Sequence, residues 1–115
     1  MGRFILVLVL LAGTAFGADV TIQGHLVDAV CGRGFARKGK SGAGHNKACL
    51  RVPACSDGGY GVLTEDKRFI TFDANGNERA RKLIEETSKE NDIQVVVTGA
   101  IDGDEMSVSK IELKQ

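Results

Sequence analysis

Two strand-like segments joined by a tight-turn signal close the chain, and they constrain its fold more than any other feature. Residues 93–101 read IQVVVTGAI and are rich in β-branched side chains, while residues 106–113 read MSVSKIEL and alternate apolar with polar. Both patterns predict β-strands. Asp102-Gly103 lies between them and is typical of a two-residue hairpin turn. The chain is therefore predicted to be β-rich and to end in an antiparallel hairpin.

Three more strands and one helix are predicted upstream. Residues 20–28 predict a first strand, with a bulge or bend at Gly24, and residues 59–64 and 68–73 predict a second hairpin around a polar turn. Apolar or small side chains recur at positions 80, 83, 84 and 87, which predicts a helix near 78–90 with Asn77 as its cap. Residues 18–115 are thus predicted to form one mainly β domain with one helix. The element order favours a small five-stranded OB-like Greek-key barrel.

The first 17 residues have the layout of a secretory signal peptide. Arg3 precedes an apolar run from Phe4 to Leu11, and the small residues Ala15 and Gly17 lie just before Ala18. The apolar run is shorter than the ~20 residues that cross a bilayer as a helix. The sequence therefore predicts a protein exported to the periplasm or beyond the cell, and not membrane-spanning once it is processed.

The segment between the first two strands concentrates the chain's unusual chemistry. Residues 31–55 contain all three cysteines, one of the two histidines, five glycines, six basic residues and no acidic residue. Because the whole chain has 15 basic and 15 acidic residues, the remainder is acidic. The glycines and the lack of periodicity before His45 predict a long loop between strands 1 and 2, where OB-like folds bind ligands.

These strings resemble a group of small secreted bacterial domains of unknown function. The resemblance is carried by GHLVDAVCG, the His- and Cys-containing segment after it, GYGVLTEDKRFITFD and VVVTGAIDGDEMSVSKIEL. Its distinctive residues are Asp28, Cys31, His45, Cys49 and Cys55. The resemblance implies a bacterial, exported, OB-like domain, and it implies no activity.

One interpretation of the cysteine-rich segment is a metal site. Cys31, His45, Cys49 and Cys55 would form a Cys₃His set, which suits zinc at structural sites and, because thiolates are soft ligands, also copper. His45 and Cys49 are four residues apart and would point the same way on one helical turn. The spacings differ from the close Cys-x-x-Cys pairs of ordinary zinc modules.

Two alternatives rest on the same thiols. In an oxidising compartment Cys49 could pair with Cys55, or Cys31 with either of them, and a disulfide would then leave one thiol free. The free thiol could instead serve a thiol redox protein, since Lys47 and Arg51 lie close to Cys49 in sequence, although the sequence has no Cys-x-x-Cys pair. Metal quantification and a thiol count would separate these alternatives.

The remaining polar residues predict a binding module and not a classical enzyme. Asp28 could cap the backbone after strand 1 or orient His45. If a disulfide staples the segment, the unidentified ligand at the loop between strands 1 and 2 could be a protein, a glycan or an anion. An anion could bind weakly to the basic side chains of the segment, namely Arg33, Arg37, Lys38, Lys40, Lys47 and Arg51. The scarcity of aromatic residues and the absence of tryptophan argue against nucleic acid. No Ser/His/Asp order or paired-carboxylate motif is present, and nothing indicates the oligomeric state.

Overall fold

A computed structural model describes residues 18–114 of the chain, and the predicted leader, residues 1–17, lies outside the described residues. This part of the chain contains five strands and four helices. They are β1 Val20–Asp28, α1 Ala29–Lys38, α2 Lys47–Arg51, α3 Pro53–Ser56, β2 Tyr60–Thr64, β3 Phe69–Phe72, α4 Ala74–Glu86, β4 Gln94–Asp102 and β5 Glu105–Leu113. The prediction of a mainly β domain is confirmed, with more helix than the sequence suggested.

The five strands form one mixed sheet in which each strand has two neighbours. β1 pairs antiparallel with both β2 and β4, and the pairs β2–β3 and β4–β5 are the two predicted hairpins. A short parallel contact between β3 and β5 gives the cyclic order β1-β2-β3-β5-β4. The long first strand reaches both of its neighbours because its two halves pair with different strands.

Gly24 marks the point on β1 where the two pairings overlap. It is in register with Thr64 of β2 and with Val95 of β4. A Cβ atom at this position would lie 2.3 Å from the carbonyl oxygen of Leu63, so only glycine fits. The irregularity predicted at this glycine therefore corresponds to a close approach of two backbones.

Apolar side chains are buried on both faces of the β1–β2–β3 part of the sheet. The inner face carries the main core, to which α4 contributes Ala80 and Ile84. Val27, Leu63 and Phe69 form a smaller cluster on the outer face. α1 covers this outer cluster with Phe35 and Ala36. The other buried residues of the main core are Leu26, Leu50, Tyr60, Val62, Ile70, Phe72, Ile93, Val95, Val97, Met106 and Val108.

The prediction of a long loop between the first two strands is wrong. Residues 29–59, called the connecting segment below, contain three helices, of which α1 is the longest. The Asp28 side chain accepts a hydrogen bond from the Cys31 N–H at the start of α1, and Gly39 ends the helix at φ 65°. Gly32 is in this helix for close packing, because a Cβ there would lie 2.3 Å from the Phe69 ring. Gly39 thus serves a cap and Gly32 a close contact, so neither of these two glycines marks a loop.

The helix between β3 and β4 begins earlier than the sequence indicated. α4 covers Ala74–Glu86, and Asp73 caps it by accepting from the Gly76 N–H. Asn77, the predicted cap, instead accepts a hydrogen bond from the N–H of Tyr60. Within residues 18–114, no helix is both long and apolar enough to span a bilayer.

Candidate metal centre

Asp28, Cys31 and Cys55 converge at the end of β1. A carboxylate oxygen of Asp28 and the two sulfur atoms all lie within 4.8 Å of one another. Asp28 is fully buried, whereas both thiols are half-buried and therefore accessible to a small solute. Cys31 and Cys55, two of the four residues predicted from the sequence as metal ligands, are thus brought together. Asp28 is the third member of the cluster.

The local chain path explains this convergence. Asp28 is the last residue of β1 and Cys31 lies in the first turn of α1, so the helix cap fixes one relative to the other. Cys55 comes from α3, which begins at Pro53 and lies shortly before β2. The N–H of Ala29 donates to the carbonyl of Gly59 over 2.9 Å, which ties the two ends of the connecting segment together. The three side chains therefore meet where the segment leaves and rejoins the sheet.

The Asp28 carboxylate is held by two hydrogen bonds, one on each oxygen. Oδ2 accepts from the backbone N–H of Cys31 over 2.9 Å, and Oδ1 accepts from Nε2 of His45 over 2.8 Å. Both side chains of the Asp28–His45 pair are buried, with 0% and 5% exposure respectively. The two roles considered for Asp28 from the sequence, a cap and a partner of His45, are therefore both present.

His45 does not share a helical turn with Cys49, contrary to the prediction. It precedes Asn46, whose side chain caps α2 by accepting from the Cys49 N–H. The His45 ring packs edge-on against Phe35, with centroids 5.6 Å apart. Because Asn46 caps α2, the helix begins at Lys47 and His45 lies outside it. The helical spacing that would align His45 with Cys49 therefore does not apply.

The third cysteine lies apart from the cluster. Cys49 is on α2 and is half-buried, and it is not among the residues that converge with Asp28. All three cysteines of the described chain are thiols. Of the disulfide pairings considered from the sequence, the geometry favours Cys31 with Cys55.

The environment of Cys31 keeps its thiol protonated when no cation is present. Burial is the largest cause, and the charge and hydrogen bonding of Asp28, followed by Cys55, add to it, so that the pKa of Cys31 rises to about 11. A free thiolate is the nucleophile in thiol exchange, so this environment disfavours a redox role for Cys31 at neutral pH. A bound metal ion would reverse the effect, because its positive charge stabilises the thiolate.

The six basic residues of the segment do not form one surface. Lys47 is buried, and its ammonium group donates to the carbonyl of Thr87, just after α4, over 2.6 Å. Arg33 and Arg37 lie four residues apart on α1 and line a groove that reaches the β2–β3 turn. Lys38 and Lys40 are exposed at the end of α1, and Arg51 is exposed on α2. Lys47 is thus a structural residue.

A second histidine–aspartate pair was missed by sequence reasoning. Nε2 of His25 on β1 donates to Oδ1 of Asp92 over 2.6 Å, beside a cleft of about 510 Å³. This hydrogen bond lowers the pKa of the Asp92 carboxyl. Asp92 has a positive φ of 51°, a conformation that Asp adopts more readily than most residues. The sequence indicated a turn at Asn91-Asp92, but it did not indicate the contact with His25, because His25 and Asp92 are 67 positions apart.

Comparisons with known proteins give no assignment. No family model matches the chain, and no curated protein or solved structure shows significant similarity to it. The function must therefore be argued from the site itself.

Proposed function

We propose that this domain binds a thiophilic metal ion, zinc or copper, through the thiolates of Cys31 and Cys55 and the carboxylate of Asp28. The observation that supports this proposal is the approach of the three donor atoms to within 4.8 Å of one another. A tetrahedral zinc ion with Zn–S bonds of about 2.3 Å holds two sulfur ligands about 3.8 Å apart. The donors therefore need only a small shift to enclose an ion.

The charge balance of the donors suits a divalent cation. Two thiolates and one carboxylate carry three negative charges, and His45 stands behind the carboxylate as a hydrogen-bond donor. A buried histidine that holds a ligating carboxylate fixes the orientation of that carboxylate. Three protein ligands would leave a fourth position for water or for a ligand of the bound metal.

Cobalt titration of the reduced, metal-free protein tests the proposal. The protein is purified from a periplasmic fraction, where its mass also shows whether it begins at Ala18, as the proposed export requires. Co²⁺ is expected to bind with one ion per chain and to give thiolate charge-transfer absorption that Zn²⁺ then removes. Cys31→Ser and Cys55→Ser should each diminish this absorption strongly. Wild-type protein without such absorption, and without bound zinc, would contradict the proposal.

Cys49→Ser is the matched control, because it removes a half-buried thiol of the same connecting segment that lies outside the cluster. This variant is expected to keep the cobalt spectrum. His45→Gln retains a side-chain donor but alters the support of Asp28, and it should weaken metal binding by about 10–100-fold. Loss of the spectrum in Cys49→Ser would instead favour the Cys₃His set considered from the sequence.

The alternative state of the same two thiols is a Cys31–Cys55 disulfide. It would form by exchange with a disulfide donor, which takes up two electrons and two protons and becomes a dithiol. The bond would staple the start of α1 to α3 and leave Cys49 free. Mass spectrometry of unreduced protein distinguishes the two states, because the disulfide form weighs two hydrogens less and gives no cobalt spectrum.

We further infer that the five-stranded sheet forms an OB-like barrel and that the protein is a binding module of the cell envelope, not a classical enzyme. The cyclic strand order, with the connecting segment between β1 and β2 and α4 between β3 and β4, supports the OB-like class. The proposed metal centre then lies in the segment where OB-like folds recognise ligands.

A further inference from the structure

A cationic groove lies between α1 and the turn that joins β2 to β3. Arg33 and Arg37 of α1 line one side of it, and Lys67 and Arg68 of the turn line the other. The groove has a volume of about 600 Å³. These four cations come from two elements that are distant in sequence, so the folded chain gathers them although its formal net charge is zero.

A polar cleft of about 510 Å³ adjoins this groove, and Lys67 lines both. The cleft adds Lys114 to the cationic side chains, and His25, which donates to Asp92, also lines it. Five further lining side chains carry hydroxyls or amides that both donate and accept hydrogen bonds, namely Thr21, Gln23, Ser41, Thr64 and Gln94. The groove and the cleft together are called the cationic track.

Three acidic residues also line the track and oppose an anionic ligand. Asp104 and Glu105 line the groove, and Glu65 lines the cleft. The guanidinium of Arg68 is 3.8 Å from the Asp104 carboxylate, but the two side chains are 58% and 85% exposed. Exposed ion pairs of this kind are weak, so an anionic ligand can compete with Asp104 for Arg68.

We propose that the cationic track binds an acidic polysaccharide, a sugar polymer that carries carboxylate or sulfate groups. An arginine guanidinium group can donate two parallel hydrogen bonds to two oxygens of one carboxylate or sulfate group. The hydroxyl and amide side chains of the cleft can exchange hydrogen bonds with sugar hydroxyls. A single-stranded nucleic acid would need exposed aromatic side chains on which bases stack. Phe69, which lines the groove, is 8% exposed and offers no such platform.

This binding activity is separate from the proposed metal centre. Neither Cys31 nor Cys55 lines the groove or the cleft. Removal of a metal ion is therefore expected to leave polysaccharide binding unchanged, and loss of either function does not imply loss of the other.

Binding to immobilised or labelled polymers tests the proposal. The full chain is titrated with polygalacturonate, which carries carboxylates, and with heparin, which carries sulfates, beside neutral dextran and an oligo-dT strand of similar length. Binding to either acidic polysaccharide, with no binding to dextran and weaker binding to oligo-dT, is the expected result. The better of the two polymers identifies the anionic group that the track prefers.

Two double variants with the same change in net charge locate the site. Arg33→Ala/Arg37→Ala removes two track cations, whereas Lys38→Ala/Lys40→Ala removes two exposed cations at the end of the same helix. We expect a loss of affinity of about tenfold for the first and less than about twofold for the second. Lys67→Asn should also weaken binding, since Lys67 joins the groove to the cleft and Asn tolerates its positive φ of 68°.

Three outcomes would overturn the proposal. Equal losses in the two double variants would mean that binding follows total charge and not the track. Tighter binding to oligo-dT than to both polysaccharides would assign the surface to nucleic acid. Wild-type protein that binds neither acidic polymer at low ionic strength would also refute it.

Discussion

The sheet with α4, called the frame, and the connecting segment are stabilised by different kinds of contact. The frame buries a continuous set of apolar side chains, so no single one of them decides its structure. The connecting segment contributes Leu50 to that core and Ala29, Phe35 and Ala36 to the outer cluster. Its position otherwise depends on a few polar contacts with fixed geometry.

Three of these contacts hold the middle of the segment. His45 donates to Asp28, Lys47 donates to the Thr87 carbonyl, and the Tyr60 hydroxyl donates to the Leu50 carbonyl. Each contact joins the segment to the end of a frame element. Because a buried polar group is costly when it loses its partner, and because these contacts are few, a substitution at one of them should displace the connecting segment from the frame. The comparison thus predicts where the connecting segment is most sensitive to change.

The largest effect is expected at Asp28. Asp28→Ala removes the cap of α1 and leaves the buried Nε2 of His45 without its acceptor, which should lower the free energy of unfolding by about 3 kcal/mol. Asp73 caps α4 in the frame and also accepts a hydrogen bond from the Val108 N–H, so that it too has two donors. Asp73→Ala should nevertheless cost only about 1.5 kcal/mol, because Asp73 is half-buried and water can replace it. Urea unfolding of the metal-free proteins measures both values.

Asp28→Asn separates the two roles of this side chain, because asparagine retains a capping oxygen but removes the negative charge beside His45. Its effect is expected to fall between those of wild type and Asp28→Ala. Equal costs for Asp28→Ala and Asp73→Ala would contradict the distinction between the segment and the frame.

The frame was predictable because its information is local. Alternation and β-branched residues placed the strands to within one or two residues, and both hairpins are where their turn signals indicated. α1 was missed because its stabilising contacts are with residues distant in sequence. Val27, Leu63 and Phe69 bury the outer face of the sheet and need a cover. Apolar residues at these outward-facing strand positions could have predicted that a helix, and not a loop, packs on the outer face.

The candidate site was predicted only in part, because it too depends on contacts between residues that are distant in sequence. Composition identified Cys31 and Cys55, but composition cannot show which thiols meet, and Cys49 proved to be apart. Asp28 joined the cluster because the end of a strand and the start of a helix place its side chain beside Cys31. His45 was assigned to a helical turn with Cys49, whereas the Asn46 cap starts the helix after it.

A smaller effect is expected from two glycines of α1 that differ only in what faces them. Gly32→Ala should lower the free energy of unfolding by about 2 kcal/mol, because its Cβ would collide with the Phe69 ring. Gly34→Ala meets no atom within 4 Å and should raise it by about 0.5–1 kcal/mol through the better helix propensity of alanine. Urea unfolding measures both, and stabilisation by Gly32→Ala would mean that α1 does not pack on the sheet.

The smallest effect near neutral pH is expected from the protonation of Cys31, which reports on the burial of its thiol and on its contact with Asp28. In the folded, metal-free protein the rate of iodoacetamide modification at Cys31 should still rise about tenfold per pH unit near pH 10, since its pKa is about 11. In urea the rate should level off near the ordinary value of 9.0. Peptide mass spectrometry follows this one thiol among the three.

The sign of the linked stability follows from the same shift. Because the folded pKa of Cys31 lies above the unfolded one, the stabilisation by the neutral thiol is fully present below pH 9 and is lost as the pH rises to about 11. Metal binding must displace this proton, so zinc affinity should increase as the pH is raised towards that range. Asp28→Asn removes the carboxylate charge and should therefore lower the midpoint of modification. The midpoint should stay above 9, because burial, the largest cause of the shift, remains. A midpoint near 9 in the folded wild-type protein would mean that the Cys31 thiol is neither buried nor held against Asp28.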